Sequence, residues 1–203
     1  MIIKEGSNNK SNDYEPIPKG THNAICVTVA GIGKQETSYG EKEQVILTFE
    51  IPSIVREWTK DGEPQKGRAQ ISRTFTCSLA PKASLRILLE NWRDKEFTAE
   101  ELGGFDLKKI LGVPCCLRIK HKVSVDGTRT YANIVDIDPF DGEEELESEA
   151  ELIHYDPFNH NKECFDLLPN WIQDKVEMVT KEGLEDDLKK AVIEDLEGEE
   201  IPF

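Results

Sequence analysis

The spacing of apolar residues changes twice along the chain, and these changes limit the folds that the sequence can adopt. Alternation with a period of two, typical of half-buried strands, covers three segments before residue 80 and two after residue 112. Between them the period is helical, because Leu85, Leu88, Leu89 and Trp92 fall on one helical face. The order β-β-β-α-β-β predicts a mainly β protein, a five-stranded OB-fold Greek-key barrel with a helical insertion between strands 3 and 4. A five-stranded sandwich with an inserted helix fits the same order.

Residues that cap helices or form turns predict where these elements end. Thr98, followed by Glu101 three residues later, has the pattern of a capping box for a short second helix. Pro52 predicts the end of the second strand, and residues 53–68 predict a long hairpin loop after it. The pair Asp126-Gly127 predicts a turn between the last two strands.

The charge of the chain is divided at residue 138. Residues 1–138 carry 20 Lys and Arg against 19 Asp and Glu, whereas residues 139–203 carry 5 against 21. The net charge of −15 therefore belongs to the second part, and the first part keeps the capacity to bind a polyanion. The predicted parts are a flexible N-terminal arm at 1–19, a barrel at 20–140, an acidic linker at 141–190 with a helix around 169–180, and an acidic tail at 191–203.

The sequence contains no pattern typical of a catalytic, metal or cofactor site. His154 and His160, six residues apart in an acidic segment, are more typical of solvated surface than of a metal site. The five cysteines form no Cys-x-x-Cys pair and predict reduced thiols. No phosphate loop, nucleophile elbow or calcium loop is present. We expect a protein that is not an enzyme, without metal or cofactor, and, because no segment resembles a signal peptide or a membrane span, a cytoplasmic one.

Basic and aromatic residues are interleaved in the predicted barrel, as single-strand binding requires. Trp58 is the clearest case, because a tryptophan between Arg56 and Lys60 in a polar segment has little core to join. Phe75 alternates with Ile71, which favours a core position over a stacking surface. The predicted DNA-binding residues are Lys34, Tyr39, Lys42, Trp58, Lys60, Lys66, Arg68, Arg73, Phe75, Lys120, Lys122, Arg129 and Tyr131.

The last ten residues, EDLEGEEIPF, join five carboxylates to an apolar tip. They resemble the acidic tip of bacterial single-stranded DNA-binding proteins, which typically end in a run of acids followed by Ile-Pro-Phe. In such a tip the Phe203 ring can enter an apolar pocket, its carboxylate can pair with a basic side chain, and Pro202 limits the entropy lost on docking. The predicted partner-binding residues are Glu194, Asp195, Glu197, Glu199, Glu200, Ile201, Pro202 and Phe203.

The segment LAPKASLRILLENWRDKEFTAEELGGFDLKKILGVPCCLRIKH, followed by TYANI, resembles the single-stranded DNA-binding proteins encoded by tailed bacteriophages. This resemblance covers roughly residues 14–140 and implies an OB-fold with an extra helical insertion. It implies sequence-independent binding of single-stranded DNA in phage replication or recombination, inside an infected bacterial host cell. The tip would recruit replication and recombination proteins, and the oligomeric state stays open.

Two other classes of function fit the same chain. One is an acidic interaction protein, a DNA mimic or replication adaptor, whose barrel binds protein and not DNA. The other is an accessory subunit of a nuclease or ligase. A DNA mimic would spread its acids over the folded surface, whereas here they are segregated after residue 138, which favours DNA binding.

Overall fold

The structure, a computed structural model, describes residues 15–60, 63–143 and 145–176. In these ranges one sheet contains β1 (Gly20–Thr37), β2 (Gly40–Lys60), β3 (Glu63–Thr76), β4 (Pro114–Val123), β5 (Thr130–Pro139) and β6 (Ile153–Tyr155). The strand order is β3-β2-β1-β4-β5 with antiparallel neighbours, and β6 pairs in parallel with β1. The helices are α1 (Ser84–Arg93), α2 (Ala99–Leu102) and α3 (Lys162–Leu167), with 3₁₀ turns at Leu107–Ile110 and Pro157–Asn159 and helical backbone at 170–176. The prediction of a mainly β protein is confirmed.

Helix α1 packs against one face of the sheet, which we call the inner face. The four residues that the helical period places together, Leu85, Leu88, Leu89 and Trp92, are all buried. The centroid of the Trp92 ring lies 5.7 Å from that of Phe49 on β2, and its indole N–H donates to the carbonyl of Pro114 at 2.9 Å. The capping box predicted at Thr98 and Glu101 is also confirmed, in α2.

A second core lies on the opposite, outer face of the sheet, under the C-terminal extension of residues 145–176. Ala30 and Ile32 of β1 and Ile46 of β2 belong to it, together with residues of β6 and of the helical segments. Strand β1 is buried without a break from Ala24 to Ala30, because both of its faces are covered. The sequence pattern predicts no strand at residues 153–155, where the structure has β6.

The close approach of this extension to the sheet depends on a glycine. A Cβ atom on Gly31 would lie 2.7 Å from the Cδ atom of Pro157. The helix predicted around 169–180 overlaps the helical backbone of 170–176, and the rest of that prediction lies outside the described residues.

The expectation of a long loop at residues 53–68 is wrong. β2 and β3 stay paired from Val55 opposite Arg68 to Lys60 opposite Glu63, and form a two-stranded arm that we call the β2–β3 arm. Pro52 falls in a break of register between Ile51 and Val55, where its missing N–H group leaves no ladder position unfilled. The proline therefore interrupts the pairing with β3 without ending the strand.

The N-terminal segment is attached to the sheet from Glu15 onward. Ile17 is buried, and its carbonyl lies 2.8 Å from the Nε2 atom of His121 on β4. The guanidinium of Arg56 donates to the carbonyl of Glu15 at 2.6 Å. The segment thus lies between β4 and the β2–β3 arm, while the rest of the predicted flexible arm, residues 1–14, lies outside the described residues.

Candidate nucleic-acid interface

The β4–β5 hairpin gathers exposed polar and aromatic side chains on one face. Lys120 lies opposite Asn133 and Lys122 opposite Tyr131, and directly opposed residues of an antiparallel pair share a face. Alternation turns these lysines away from the core, because Ile119, one residue earlier, is buried. Tyr131 is 49% exposed. We call Lys120, Lys122, Tyr131 and Asn133 the lysine–tyrosine face.

The lysines of this face have no acidic partner in the part of the chain that the structure describes. Among the described residues, no carboxylate lies within ion-pair distance of Lys120 or Lys122. Arg118 on the same strand differs, because its guanidinium lies 3.1 Å from the Asp138 carboxylate. Two ammonium groups beside a half-exposed aromatic ring suit a phosphate next to a stacked base.

The turn that joins β4 to β5 is held by Asp126, and its predicted position is confirmed. The Asp126 carboxylate accepts hydrogen bonds from the hydroxyls of Ser124 and Thr128 and from the N–H of Thr128. These hydrogen bonds lower the pKa of Asp126 to about 2. Gly127 has a φ of 71°, a conformation that costs a residue with a Cβ more. The Arg129 side chain follows the turn and is exposed.

The β1–β2 hairpin carries three further predicted residues but does not group them. Tyr39 at its tip is 86% exposed. Lys34 lies opposite Glu43 and Lys42 opposite Gln35, so the two lysines point to opposite faces of the hairpin. This tip follows the C-terminal end of β1, whereas β4 pairs with the N-terminal end of β1. The two hairpins therefore lie toward opposite ends of β1.

The β2–β3 arm presents Trp58 on one face. Its indole is 48% exposed and packs over Gly67, where a Cβ atom would lie 3.0 Å from the ring. Lys66 lies on the other face, with its ammonium 3.8 Å from the Glu57 carboxylate. The prediction for the Lys60 side chain lies outside the described part of the chain.

Two predicted residues on β3 are already engaged inside the protein. The Arg73 guanidinium donates to the carbonyl of Ile134 on β5 at 3.0 Å and lies 4.7 Å from the centroid of the Phe75 ring. Burial lowers the pKa of Arg73, and the negative charge of Asp136 partly opposes this shift. Phe75 is 2% exposed and belongs to the inner core, the position that its alternation with Ile71 favours. Its ring therefore offers no surface for a base in this conformation.

Arg68 is held by acidic residues of the same chain. Its Nη1 atom lies 3.2 Å from the Glu50 carboxylate and also donates to the carbonyl of Glu147. Its Nη2 atom lies 3.1 Å from the Glu149 carboxylate. The Oε1 atom of Glu50 accepts a hydrogen bond from the N–H of Glu149 at 2.9 Å, and its Oε2 atom accepts one from the N–H of Ala150 at 2.8 Å. We call residues 147–150 the strap.

Glu50 is a site residue that the sequence pattern missed. It is 2% exposed, and a carboxylate is rarely so buried unless it is paired. The signal was present, because Glu50 is the single charged residue in the apolar run VILTFEI. Its partners Arg68 and the strap lie 18 and about 100 positions away, so local spacing could not identify them.

The cysteine thiols and His160, which could in principle take part in chemistry, lie in surroundings typical of a structural role. Burial raises the pKa of the Cys26 thiol to about 12, and burial together with Glu43 raises that of Cys77 to about 11. All five cysteines are free. The Nδ1 atom of His160 lies 2.9 Å from the Tyr155 hydroxyl, inside the packing of the extension. Within the described ranges no three His, Cys, Asp or Glu side chains could share a metal ion.

Comparison of the whole chain with protein-family models gave no match, and comparison with curated proteins gave none either. The helices of residues 15–60, 63–143 and 145–176 include none that is long and apolar enough to cross a membrane. The predicted partner-binding residues 194–203 lie outside the described residues. The candidate interface is therefore the lysine–tyrosine face, with Trp58 and Tyr39 as separate exposed aromatic groups.

Proposed function

We propose that this chain is a non-catalytic protein that binds single-stranded DNA with little sequence preference, and that its sheet is an OB-fold barrel. The lysine–tyrosine face carries the proposal. It places two ammonium groups, which have no acidic partner among the described residues, beside a half-exposed tyrosine ring. The ammonium groups can bind phosphates and the tyrosine ring can stack on a base, and neither contact depends on base identity.

The barrel is supported by the order of the strands. In the order β3-β2-β1-β4-β5, strands β3 and β5 are the two ends of the antiparallel path. Arg73 of β3 donates to the carbonyl of Ile134 on β5, so these two ends approach each other. A Greek-key barrel of this class requires such an approach, and its oligonucleotide ligands contact the loops after strands 1 and 4. Tyr39 and Arg129 lie at those two positions.

The biological setting follows from the two resemblances in the sequence. The protein would cover single-stranded DNA during phage replication or recombination in the host cytoplasm, and residues 194–203 would recruit partner proteins. Removing residues 194–203 is expected to preserve or strengthen DNA affinity, because ten residues rich in acid are lost, and to abolish partner binding. Pull-down of host replication proteins and titration with DNA measure the two effects. Loss of DNA binding in this truncated chain would contradict the division of roles.

A titration tests the function directly. Fluorescein-labelled oligo-dT and a duplex of equal length are titrated with the protein at about 50 mM and about 200 mM salt. We expect at least about tenfold tighter binding of the single strand, because only unpaired bases can stack on Tyr131. With Lys120, Lys122 and Arg129 as at least three phosphate contacts, the affinity should fall by at least about 20-fold between the two salt concentrations.

The second candidate is an acidic interaction protein whose sheet binds protein and not DNA. One observation favours it, namely that Arg68 is already occupied by the chain's own Glu50 and Glu149. Equal or absent binding of the single strand and the duplex in the same titration would support this candidate instead.

A further inference from the structure

The outer face of β2 is covered by the C-terminal extension. Ile46 contacts the second core, and Thr48 and Glu50, which follow on the same face, are also buried. Thr48 shares a hydrogen bond of 2.8 Å with Ser72 on β3, so a polar strip continues from β2 to β3 on this side. Ligands of OB-fold proteins bind on the face of strands 2 and 3. The covered surface is therefore the one that an OB-fold offers to a nucleic acid.

The strap binds this face mainly through one carboxylate and one guanidinium. Glu50 accepts two backbone N–H groups of the strap, and Arg68 contacts a strap carbonyl and the Glu149 carboxylate. Next to the strap, Leu146 closes one side of a groove of about 450 Å³. The groove is otherwise lined by Thr21, His22, Asn23, Pro52 and Ser53.

We propose that the strap is a latch that opens when single-stranded DNA binds, and that the opened face adds Arg68 and the Thr48–Ser72 strip to the DNA-binding surface. This inference rests on the proposed function. Arg68 cannot hold a phosphate and the Glu149 carboxylate at the same place, because both are anions that require its guanidinium. DNA and the strap therefore exclude each other at Arg68.

The chemistry of the strap suits repeated opening. Residues 143, 145, 147, 149 and 151 are all glutamates, so the released segment repels a phosphate backbone and stays off the occupied face. The strap is joined covalently to β5, which gives it a high effective concentration when DNA leaves. A closed latch lowers the apparent DNA affinity by the fraction of molecules that are open.

Hydrogen exchange of the unaltered chain provides the first test. The N–H groups of Glu149 and Ala150 are bonded to Glu50, so their exchange should be slowed in the free protein. We expect saturating oligo-dT to accelerate exchange of these two amides while amides on β4 and β5 keep their protection. DNA binding that leaves the exchange of Glu149 and Ala150 unchanged or slower would overturn the latch and leave the proposed function intact.

A pair of variants provides the second test. Glu149→Gln combined with Ala150→Pro removes the carboxylate at Arg68 and one N–H donor to Glu50. Its control, Glu151→Gln, changes the charge equally at a residue without a side-chain partner in the described residues. We expect the first variant to bind oligo-dT at least about threefold more tightly than the unaltered chain, and the control to change affinity by less than about 1.5-fold.

The outcomes separate the latch from the function on which it rests. Tighter binding by the strap variant alone supports the latch. Equal affinities of the strap variant and the control overturn it while DNA binding stands. If neither the unaltered chain nor the strap variant binds oligo-dT, the proposed function fails and the latch fails with it. Thermal unfolding of both variants confirms that they are folded.

Discussion

Replacing Lys120 and Lys122 by glutamine and Tyr131 by alanine is expected to weaken the binding of oligo-dT by about 100-fold at about 50 mM salt. Loss of one stacked base accounts for about 1–3 kcal/mol of binding free energy. Loss of two phosphate contacts adds to it and lowers the slope of log K against log salt by about 1.4. Fluorescence anisotropy over a range of salt concentrations measures both quantities.

The control for this variant removes the same charge and one exposed ring elsewhere. Lys108 and Lys109 lie in the 3₁₀ turn before β4, and Phe158 is an exposed ring on the extension. Changing these lysines to glutamine and Phe158 to alanine should weaken binding by no more than about threefold, because the net charge changes but the lysine–tyrosine face does not. Equal losses in the two variants would show that binding follows net charge, and that the lysine–tyrosine face is not the site.

Elements that depend on local pattern could be predicted from the sequence. The face of α1 and the capping box at Thr98 were predictable because helical spacing and capping involve residues three or four positions apart. The β2–β3 arm was not, since a proline ordinarily ends a strand and only the register of β3 shows that Pro52 lies in a break. Asp61 and Gly62, a pair typical of tight hairpins, indicated a turn in the sequence, but together with Pro64 they were interpreted as part of a long loop.

The site was less predictable than the fold, because contacts between residues far apart in the sequence decide which basic side chains are available to a ligand. Lys122 and Arg68 look alike in the sequence, since each is a basic residue within or directly beside an alternating segment. The structure separates them, since Lys122 stands opposite Tyr131 whereas Arg68 meets Glu149 from the far end of the chain. The acidic composition after residue 138 did not show that one acidic segment, the strap, packs back on the sheet.

The buried carboxylate of Glu50 is expected to matter for stability more than any exposed charge. Glu50→Ala leaves the N–H groups of Glu149 and Ala150 without their acceptor and removes one partner of Arg68. Breaking a buried pair by removing one partner costs about 3–5 kcal/mol. Because Arg68 keeps Glu149 and is not fully buried, we expect the free energy of unfolding to fall by about 2–4 kcal/mol. Urea unfolding followed by tryptophan fluorescence measures it.

A surface ion pair serves as the control for Glu50→Ala, and a double-mutant cycle measures how strongly Glu50 and Arg68 are coupled. Glu57→Ala breaks an exposed pair with Lys66 and should cost less than about 1 kcal/mol. In the cycle of Glu50→Ala and Arg68→Ala, we expect a coupling energy of about 1.5–3 kcal/mol, since a hydrogen bond between charged groups joins the two residues. A Glu50→Ala variant as stable as the Glu57→Ala variant would show that Glu50 does not hold the strap on the sheet. The extension would then depend on its apolar contacts with Ile46 and β1 alone.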